Sequence, residues 1–341
     1  MESQKLFKAV MCSTLIVMVI LSAQVRAQPS SSRGRGIYGD WNVKVDYGEG
    51  RQFESILSFS RDQEGNLTGS WISFMGINEL QDLKYEEGQI SFSRTRRNRD
   101  GETTTSNFKG TIEDDKISGT WSSERGDLKL EGKRAPRMSR AVGIWEMTLK
   151  REDREFTSTL TIKVDKEGQL MGQWRSERGE LAISDVQYER GNVSFKMERK
   201  SEERQWQASF EGAIDRQTGM LSGVIKSERG EMKAEGKRVG TPLIGTWNLE
   251  STSERGTRKQ RLLVNPDMSG LYGSMAIKKV EFEDGKVSFK IVMEFGDQTF
   301  EINFTGKIED SKLIGEITSD RGSQKITGTK VIRRFRRRNT G

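Results

Sequence analysis

Two residue types that often perform acid–base or nucleophilic chemistry are almost missing from this sequence. Histidine is absent, and the single cysteine, Cys12, lies near the N-terminus. A Ser-His-Asp triad is therefore excluded, as are a thiolate nucleophile and a Cys/His zinc site in the rest of the chain. Carboxylates remain, for example Glu113, Asp114 and Asp115. A glycoside hydrolase needs two carboxylates in one cleft at a fixed separation, and the sequence marks no such pair.

The tryptophans are the first candidates for ligand binding. They could line pockets, or they could fill cores, because large aromatic side chains contribute most to burial. The first third of the chain holds three of them, the second third holds three, and the last third holds one: Trp41, Trp71, Trp121, Trp145, Trp174, Trp206 and Trp247. The loss of two tryptophans, one of them replaced by Met275 in the aligned text, predicts a different pocket in the last third, or none.

A charged four-residue motif is the second candidate. Ser-Glu-Arg-Gly occurs at 123–126, 176–179, 227–230 and 253–256, and Ser-Asp-Arg-Gly occurs at 319–322. Five copies could form a repeated binding rim. The motif is also typical of a hairpin turn with glycine in the left-handed conformation, and we favour this second interpretation.

A basic tail is the third candidate. The formal net charge is +7, but much of the excess comes from the last residues, and the body carries similar numbers of acids and bases. The sequence therefore predicts no specific nucleic-acid binding by the body. The tail could bind an anionic polymer or surface, or it could be a solubilising end. Its arginines are Arg333, Arg334, Arg336, Arg337 and Arg338.

A Gly-x-Trp motif opens three similar blocks of sequence. It occurs as Gly39-Asp40-Trp41, Gly143-Ile144-Trp145 and Gly245-Thr246-Trp247. Self-similarity at a fixed period indicates a repeat architecture. We predict a linker at 28–36, three modules at 37–134, 141–238 and 243–330, and the Arg-rich tail at 331–341.

The N-terminus is typical of an export signal over residues 1–27. Lys5 and Lys8 precede an apolar run, and Val25-Arg26-Ala27 places small residues before a predicted cleavage point. The apolar run is shorter than the roughly 20 residues that a membrane span needs. We expect an exported protein, secreted, periplasmic or in the cell envelope, with no transmembrane span in the mature chain.

Each module is predicted to be all-β. Apolar and polar residues alternate in short runs that turn residues interrupt, which is the pattern of antiparallel hairpins. Module one gives eight such runs, the fourth at Leu80–Glu86. Closing the eighth strand onto the first removes exposed sheet edges. We therefore predict three tandem eight-stranded meander barrels, with repeated β-sandwiches as the alternative.

The Gly-x-Trp motif, the eight-strand meander and a basic residue ending the last strand resemble the calycin group of lipocalins, fatty-acid-binding proteins and avidins. In lipocalins a first-strand tryptophan closes one barrel end and an arginine of the last strand packs over it. The resemblance implies that Arg134 covers Trp41 and that Arg238 covers Trp145. Lys330 takes the arginine's place in module three. In avidin-like barrels, interior tryptophans line the ligand pocket.

Three functional hypotheses follow. The first is a non-enzymatic, lipocalin-like exported protein that binds a small apolar ligand or a surface partner. The second is a structural or adhesive protein of the cell envelope that is tethered through its Arg-rich tail. The third and least favoured is a carboxylate-dependent hydrolase. We expect no enzyme activity, no cofactor and no metal site. The oligomeric state is left open.

Overall fold

The computed structural model describes residues 36–48, 51–97, 101–124, 126–200, 205–253, 256–295, 298–320 and 322–331. The predicted export signal and the five arginines of the tail lie outside the described residues. The chain divides into two units, of which the second spans Gly36–Gly341. Everything described below belongs to this second unit.

All regular elements of the described residues are β-strands, and they form three barrel-shaped antiparallel sheets. Barrel 1 consists of β1 Gly39–Asp46, β2 Gln52–Arg61, β3 Leu67–Ser73, β4 Gly76–Glu79, β5 Gln81–Glu86, β6 Gln89–Arg97, β7 Thr103–Glu113, β8 Lys116–Ser123 and β9 Gly126–Arg134. Barrel 2 consists of β10 Gly143–Arg151, β11 Arg154–Val164, β12 Leu170–Ser176, β13 Gly179–Glu189, β14 Asn192–Lys200, β15 Gln205–Ile214, β16 Leu221–Ser227 and β17 Gly230–Arg238. Barrel 3 consists of β18 Gly245–Ser253, β19 Gly256–Val264, β20 Gly270–Tyr272, β21 Met275–Ile277, β22 Val280–Glu283, β23 Lys286–Phe295, β24 Gln298–Glu309, β25 Lys312–Ser319 and β26 Gly322–Lys330.

Each sheet is an up-and-down meander whose last strand pairs with its first. Trp41 of β1 lies opposite Arg134 of β9, and Trp145 of β10 lies opposite Arg238 of β17. The eight strands of barrel 2 form a fully closed ring. The predicted all-β class and the three antiparallel barrels are therefore confirmed, and the sandwich alternative is not needed. In the part of the chain that is described, no helix is long and apolar enough to cross a bilayer.

Barrels 1 and 3 have nine strands instead of the predicted eight, because one strand is bent into two. In barrel 2, β13 crosses from β12 to β14 as one strand with a bulge between Ser184 and Gln187. The equivalent strand of barrel 1 is split at Leu80 into β4 and β5. Asp82 and Asp185 sit at the same bulge with φ of 50° and 52°, a left-handed conformation that aspartate tolerates. The backbone N–H of Leu80 still donates to Gly69 at 2.9 Å, so the two pieces remain one continuous wall.

The interior of each barrel is a packed apolar core of alternating inward side chains. A pair of facing glycines shapes each core. Gly110 and Gly119 lie opposite each other on β7 and β8. A Cβ on Gly110 would lie 2.2 Å from the Ser118 carbonyl oxygen and 2.6 Å from the ring of Phe108. Glycine is required there because the backbone of the neighbouring strand and the end of the phenylalanine ring occupy the space of a Cβ. Gly212–Gly223 with Phe210, and Gly306–Gly315 with Phe304, repeat the arrangement.

Candidate functional site

One end of each barrel is closed by its first-strand tryptophan. In barrel 1 the indole N–H of Trp41 donates to the Ile37 carbonyl at 2.9 Å, and the Arg134 guanidinium carbon lies 4.2 Å from the ring centroid. Arg134 also donates to the Tyr38 and Gly36 carbonyls, each at 2.6 Å, and to the Asp115 carboxylate at 2.5 Å. Each of the three guanidinium nitrogens thus donates one hydrogen bond that holds the chain across the barrel end.

Barrels 2 and 3 repeat this closure with decreasing strength. Arg238 lies 4.3 Å from the Trp145 ring centroid, and burial lowers its pKa. Lys330 lies 5.5 Å from the Trp247 ring centroid and donates to the Pro242 carbonyl at 2.7 Å. These contacts follow the arrangement that the lipocalin resemblance implies. The three first-strand tryptophans are buried, and they act as plugs at this end. We call the opposite end of each barrel its mouth.

The other tryptophans lie within barrels 1 and 2. Trp71 and Trp121 contact each other with ring centroids 4.8 Å apart. Trp174 is buried in barrel 2 with Phe195, and Trp206 is half-buried against the same core. In these two barrels the aromatic side chains belong to the buried apolar cores. Whether any of these residues binds a ligand stays a prediction.

The strand register corrects one alignment made from sequence. Trp71 and Trp174 lie opposite Leu57 and Leu160 on the neighbouring strands. In barrel 3 the residue opposite the equivalent Leu262 is Tyr272, and Met275 lies beyond the following turn. The prediction that Met275 stands where tryptophan stood is therefore wrong. The strand before this turn ends earlier in barrel 3 than in barrel 1. The match made from sequence therefore paired Trp71 with a residue that lies beyond the turn.

A cavity of about 160 Å³ lies at the mouth of barrel 3. Its apolar wall includes Leu249, Ile302, Ile317 and Ile326. Its polar wall includes the buried side chains Ser251, Gln260 and Tyr272. Burial raises the pKa of Tyr272, so its hydroxyl stays protonated and can donate a hydrogen bond at neutral pH. The cavity thus combines an apolar body with neutral polar groups and one cation, Arg258, whose guanidinium donates to the Phe74 carbonyl.

The cavity exists because barrel 3 has smaller or more polar residues than barrel 1 at equivalent positions. Ile317 lies opposite Phe304, where barrel 1 places Trp121 opposite Phe108. The pair Val45–Phe53 of barrel 1 is likewise replaced in barrel 3 by the pair Ser251–Arg258. Barrel 2 also has an isoleucine, Ile225, at the first of these positions, but it packs Trp206 against its core. The missing tryptophans therefore correspond to a different pocket, one of the two outcomes expected from sequence.

A turn of barrel 1 covers this mouth. Phe74 lines the cavity, and its ring also packs on Phe53 with centroids 5.6 Å apart. Arg258 and Gln260 of barrel 3 donate to the Phe74 carbonyl at 3.0 and 3.3 Å, and Gln260 also donates to the Ser73 carbonyl at 3.0 Å. A Cβ on Gly273 would lie 2.3 Å from the Ser73 oxygen. The approach is so close that only glycine fits.

An ion pair joins the same two barrels on their outer faces. Arg261 Nη1 lies 3.0 Å from Asp40 Oδ2, with both side chains largely excluded from solvent. Ser58 donates to the other carboxylate oxygen of Asp40 at 2.6 Å. Ile56 and Ile72 are buried on this outer face although they lie outside the core of barrel 1. Barrels 1 and 3 therefore share an extended contact.

The Ser-Glu-Arg-Gly motif forms two-residue hairpin turns between its serine and its glycine. One further turn between a serine and a glycine has apolar residues in place of the glutamate and the arginine. Ser176 pairs with Gly179, and Ser227 pairs with Gly230, each closing a two-residue hairpin. Both glycines have φ of 102°, as the turn interpretation requires. Ser73 pairs with Gly76 in the same frame, but its tip is Phe74-Met75. We call this segment, 73–76, the apolar turn, and it is the turn that covers barrel 3.

An inward arginine distinguishes barrel 1 from the other two barrels. Arg94 lies with its guanidinium carbon 4.9 Å from the Trp71 ring centroid. Its Nε and Nη2 donate to Asn78 Oδ1 at 3.3 and 2.9 Å. Burial, with a smaller contribution from Arg96, lowers the pKa of Arg94 to about 10. Sequence reasoning missed both this residue and the polar residues of the barrel 3 cavity. Comparison of the three repeats position by position would have revealed them.

The candidate catalytic carboxylates do not come together as a site. Asp115 pairs with Arg134, and Asp114 and Asp115 occupy a tight turn with φ of 45° and 63°. No group of three metal-ligating residues occurs among the described residues.

Comparisons with known proteins identify no family. No family model and no curated protein matches the chain. Among solved structures, a candidate outer membrane protein from Bacteroides fragilis is 10% identical, with 59% of this chain and 96% of that chain covered and a TM-score of 0.26. A protein of unknown function from Nostoc punctiforme is 12% identical, with 86% and 96% covered and a TM-score of 0.20. A transferrin binding protein B double mutant from Haemophilus parasuis is 10% identical, with 86% and 74% covered and a TM-score of 0.21. At TM-scores this low, none of these similarities carries an argument about this chain.

Proposed function

We propose that this chain is an exported, non-enzymatic binding protein whose ligand site is the cavity of barrel 3. The single observation that carries the proposal is the cavity itself, which lies where barrel 1 holds Trp121 and Val45 in a filled core. Export rests on the signal-like residues 1–27. The absence of a carboxylate pair in the sequence pattern supports a non-enzymatic role.

The cavity defines the size and chemistry of the ligand. An engineered protein cavity of about 150 Å³ lined by Leu, Ile and Phe accepts benzene, and this one measures about 160 Å³. Ser251, Gln260 and Tyr272 add neutral hydrogen-bonding groups to the wall. The ligand that fits is a small, uncharged, mainly apolar molecule with one hydroxyl or similar group, of about the size of phenol. A few fixed polar groups in an apolar pocket are what usually give such a site its selectivity.

The packed apolar cores of barrels 1 and 2 favour a supporting role for those two modules in binding this apolar ligand. Barrel 1 contributes the apolar turn, which forms part of the cavity wall through Phe74. The binding site therefore belongs to the whole chain and requires two barrels. This is a narrower proposal than three equivalent ligand-binding barrels.

The test is isothermal titration of the chain from residue 28 onward with phenol, benzene and cyclohexanol. We expect saturable binding of one molecule per chain, with phenol stronger than benzene because it can bond to the polar wall. Ile317→Trp, which fills the cavity, should abolish binding. Ile314→Trp, on the exposed outer face of the same strand, should leave it unchanged. The proposal fails if the folded chain binds none of the three, or if both variants bind equally well.

A further inference from the structure

Arg94 occupies a position at which the other barrels have apolar residues. It lies opposite Ser106, two residues beyond the Phe92–Phe108 pair. The same positions carry Met197 in barrel 2 and Ile291 in barrel 3. The guanidinium therefore points into the interior of barrel 1, where the repeat pattern calls for a methionine or an isoleucine.

The charge of Arg94 has no counter-ion in the described residues. Its hydrogen bonds go to the neutral amide oxygen of Asn78, and its face lies on the Trp71 ring. Among the described residues no carboxylate forms an ion pair with it, whereas Arg134 and Arg261 are each paired with an aspartate. Arg238, the equivalent of Arg134, donates instead to the Arg140 carbonyl. Buried cations are normally paired because an unpaired one is costly. Burial also holds the pKa of Arg94 below its usual range.

Two further donors in this interior have no acceptor. The indole Nε1 of Trp71 and the hydroxyl of Ser55 are both fully buried without a hydrogen-bond partner among the described residues. Trp71 is the ring on which Arg94 lies. Ser55 is on β2, two residues from Leu57, which lies opposite Trp71. Native structures leave few buried polar groups unpaired, and such groups call for an explanation.

We infer that barrel 1 holds a second binding site beside its packed core, at the partly exposed side chain of Arg94, for the carboxylate group of a small organic acid. A carboxylate accepts several hydrogen bonds and matches the planar guanidinium edge. It would supply the missing negative charge next to Trp71, whose indole N–H also lacks an acceptor among the described residues. This site is separate from the barrel 3 cavity, differs in the charge of its ligand, and does not depend on the function proposed above.

The test uses benzoate and acetate as carboxylate probes, with benzyl alcohol as the neutral control and inorganic phosphate as the alternative oxyanion. Titration of the chain from residue 28 onward should show saturable binding of benzoate and no comparable binding of benzyl alcohol. Phosphate binding as tight as benzoate binding would mean that the site takes oxyanions in general and would overturn the carboxylate assignment. Equal affinity for benzoate and benzyl alcohol would overturn the site.

Matched variants separate this site from other arginines. Arg94→Met, which introduces the residue of barrel 2, should weaken benzoate binding at least tenfold. Arg96→Met, on the same strand but exposed, should change it less than threefold. Unchanged affinity in Arg94→Met refutes the inference. Arg94→Lys provides a second variant if the first fails to fold, and it should also weaken binding because lysine lacks the planar fork. Ile317→Trp should leave benzoate binding intact, so this site and the cavity of barrel 3 can fail independently.

Discussion

Ile317 and Ile225 occupy equivalent positions in two barrels, yet we expect the same substitution to act on them with opposite signs. Ile317 lines the cavity of barrel 3, whereas Ile225 is buried in the packed core of barrel 2. Ile317→Trp adds apolar atoms to unfilled space. Ile225→Trp forces them into a filled core, which costs roughly 1–3 kcal/mol.

The size of the expected gain follows from the cavity volume. An empty cavity costs about 24 cal/mol per Å³, so one of about 160 Å³ sets an upper limit of about 4 kcal/mol. One tryptophan fills part of the space, and the mouth is partly open to solvent. We therefore expect Ile317→Trp to stabilise barrel 3 by about 1–2 kcal/mol.

Native-state hydrogen exchange measured by mass spectrometry is the appropriate assay. A chain of three barrels is not a two-state system, so a single unfolding free energy is poorly defined. Peptides from β18, β24 and β25 report local opening of barrel 3, and peptides from β15 and β16 report barrel 2. The reasoning is refuted if both variants destabilise their barrels to a similar extent, because the cavity would then offer no usable space.

Three further predictions concern closure, docking and the tail. Gly76→Ala should loosen the contact between barrels 1 and 3 and speed hydrogen exchange in β19, because its Cβ would lie 2.9 Å from a backbone oxygen of barrel 3. The control is Gly126→Ala, at the same position of another two-residue hairpin but with open space around it. It should show only the local cost of a positive φ. Arg134→Lys should lower the opening free energy of barrel 1 by about 1–3 kcal/mol, because the single nitrogen of lysine cannot reach all three acceptors that Nε, Nη1 and Nη2 of the guanidinium reach. Lys330→Arg should be neutral or stabilising in the same exchange experiment. Deleting residues 332–341 should abolish salt-sensitive retention of the chain on an anionic resin, and unchanged retention would argue against a binding role for the tail.

The fold could be predicted because local signals agreed with one another. Turn glycines, alternating strands and the repeated Gly-x-Trp all pointed to a closed meander, and the pairing of Trp41 with Arg134 completes that closure. The split of the fourth strand at Leu80 was not predictable, because barrel 2 has the same bulge, at Asp185, in a strand that stays whole.

The candidate sites were harder to predict because they depend on differences between repeats. Arg94 stands near the end of a strand, where an arginine usually leaves the core for solvent, so only its register shows that it points inward. In the sequence, Ser251 and Gln260 look like ordinary polar strand residues, and again only the register shows that they line the cavity. The seating of Phe74 on barrel 3 depends on how two barrels meet, and no local pattern encodes that.

The apolar turn also has a consequence for the order in which the protein is made. Its partner Gln260 lies 187 residues further along the chain than Ser73. At about 5–20 residues per second, roughly 10–40 s separate the synthesis of the two. Gln260 lies 126 residues beyond Arg134, the end of barrel 1. For roughly 6–25 s, Phe74 and Met75 of a finished barrel 1 therefore lack their cover from barrel 3. A completed molecule nearby can bind this turn at the mouth of its own barrel 3 whenever its own apolar turn is displaced from that mouth. Crowded synthesis therefore favours exchange of turns between molecules, and chains that stop after barrel 2 are the ones most exposed to it.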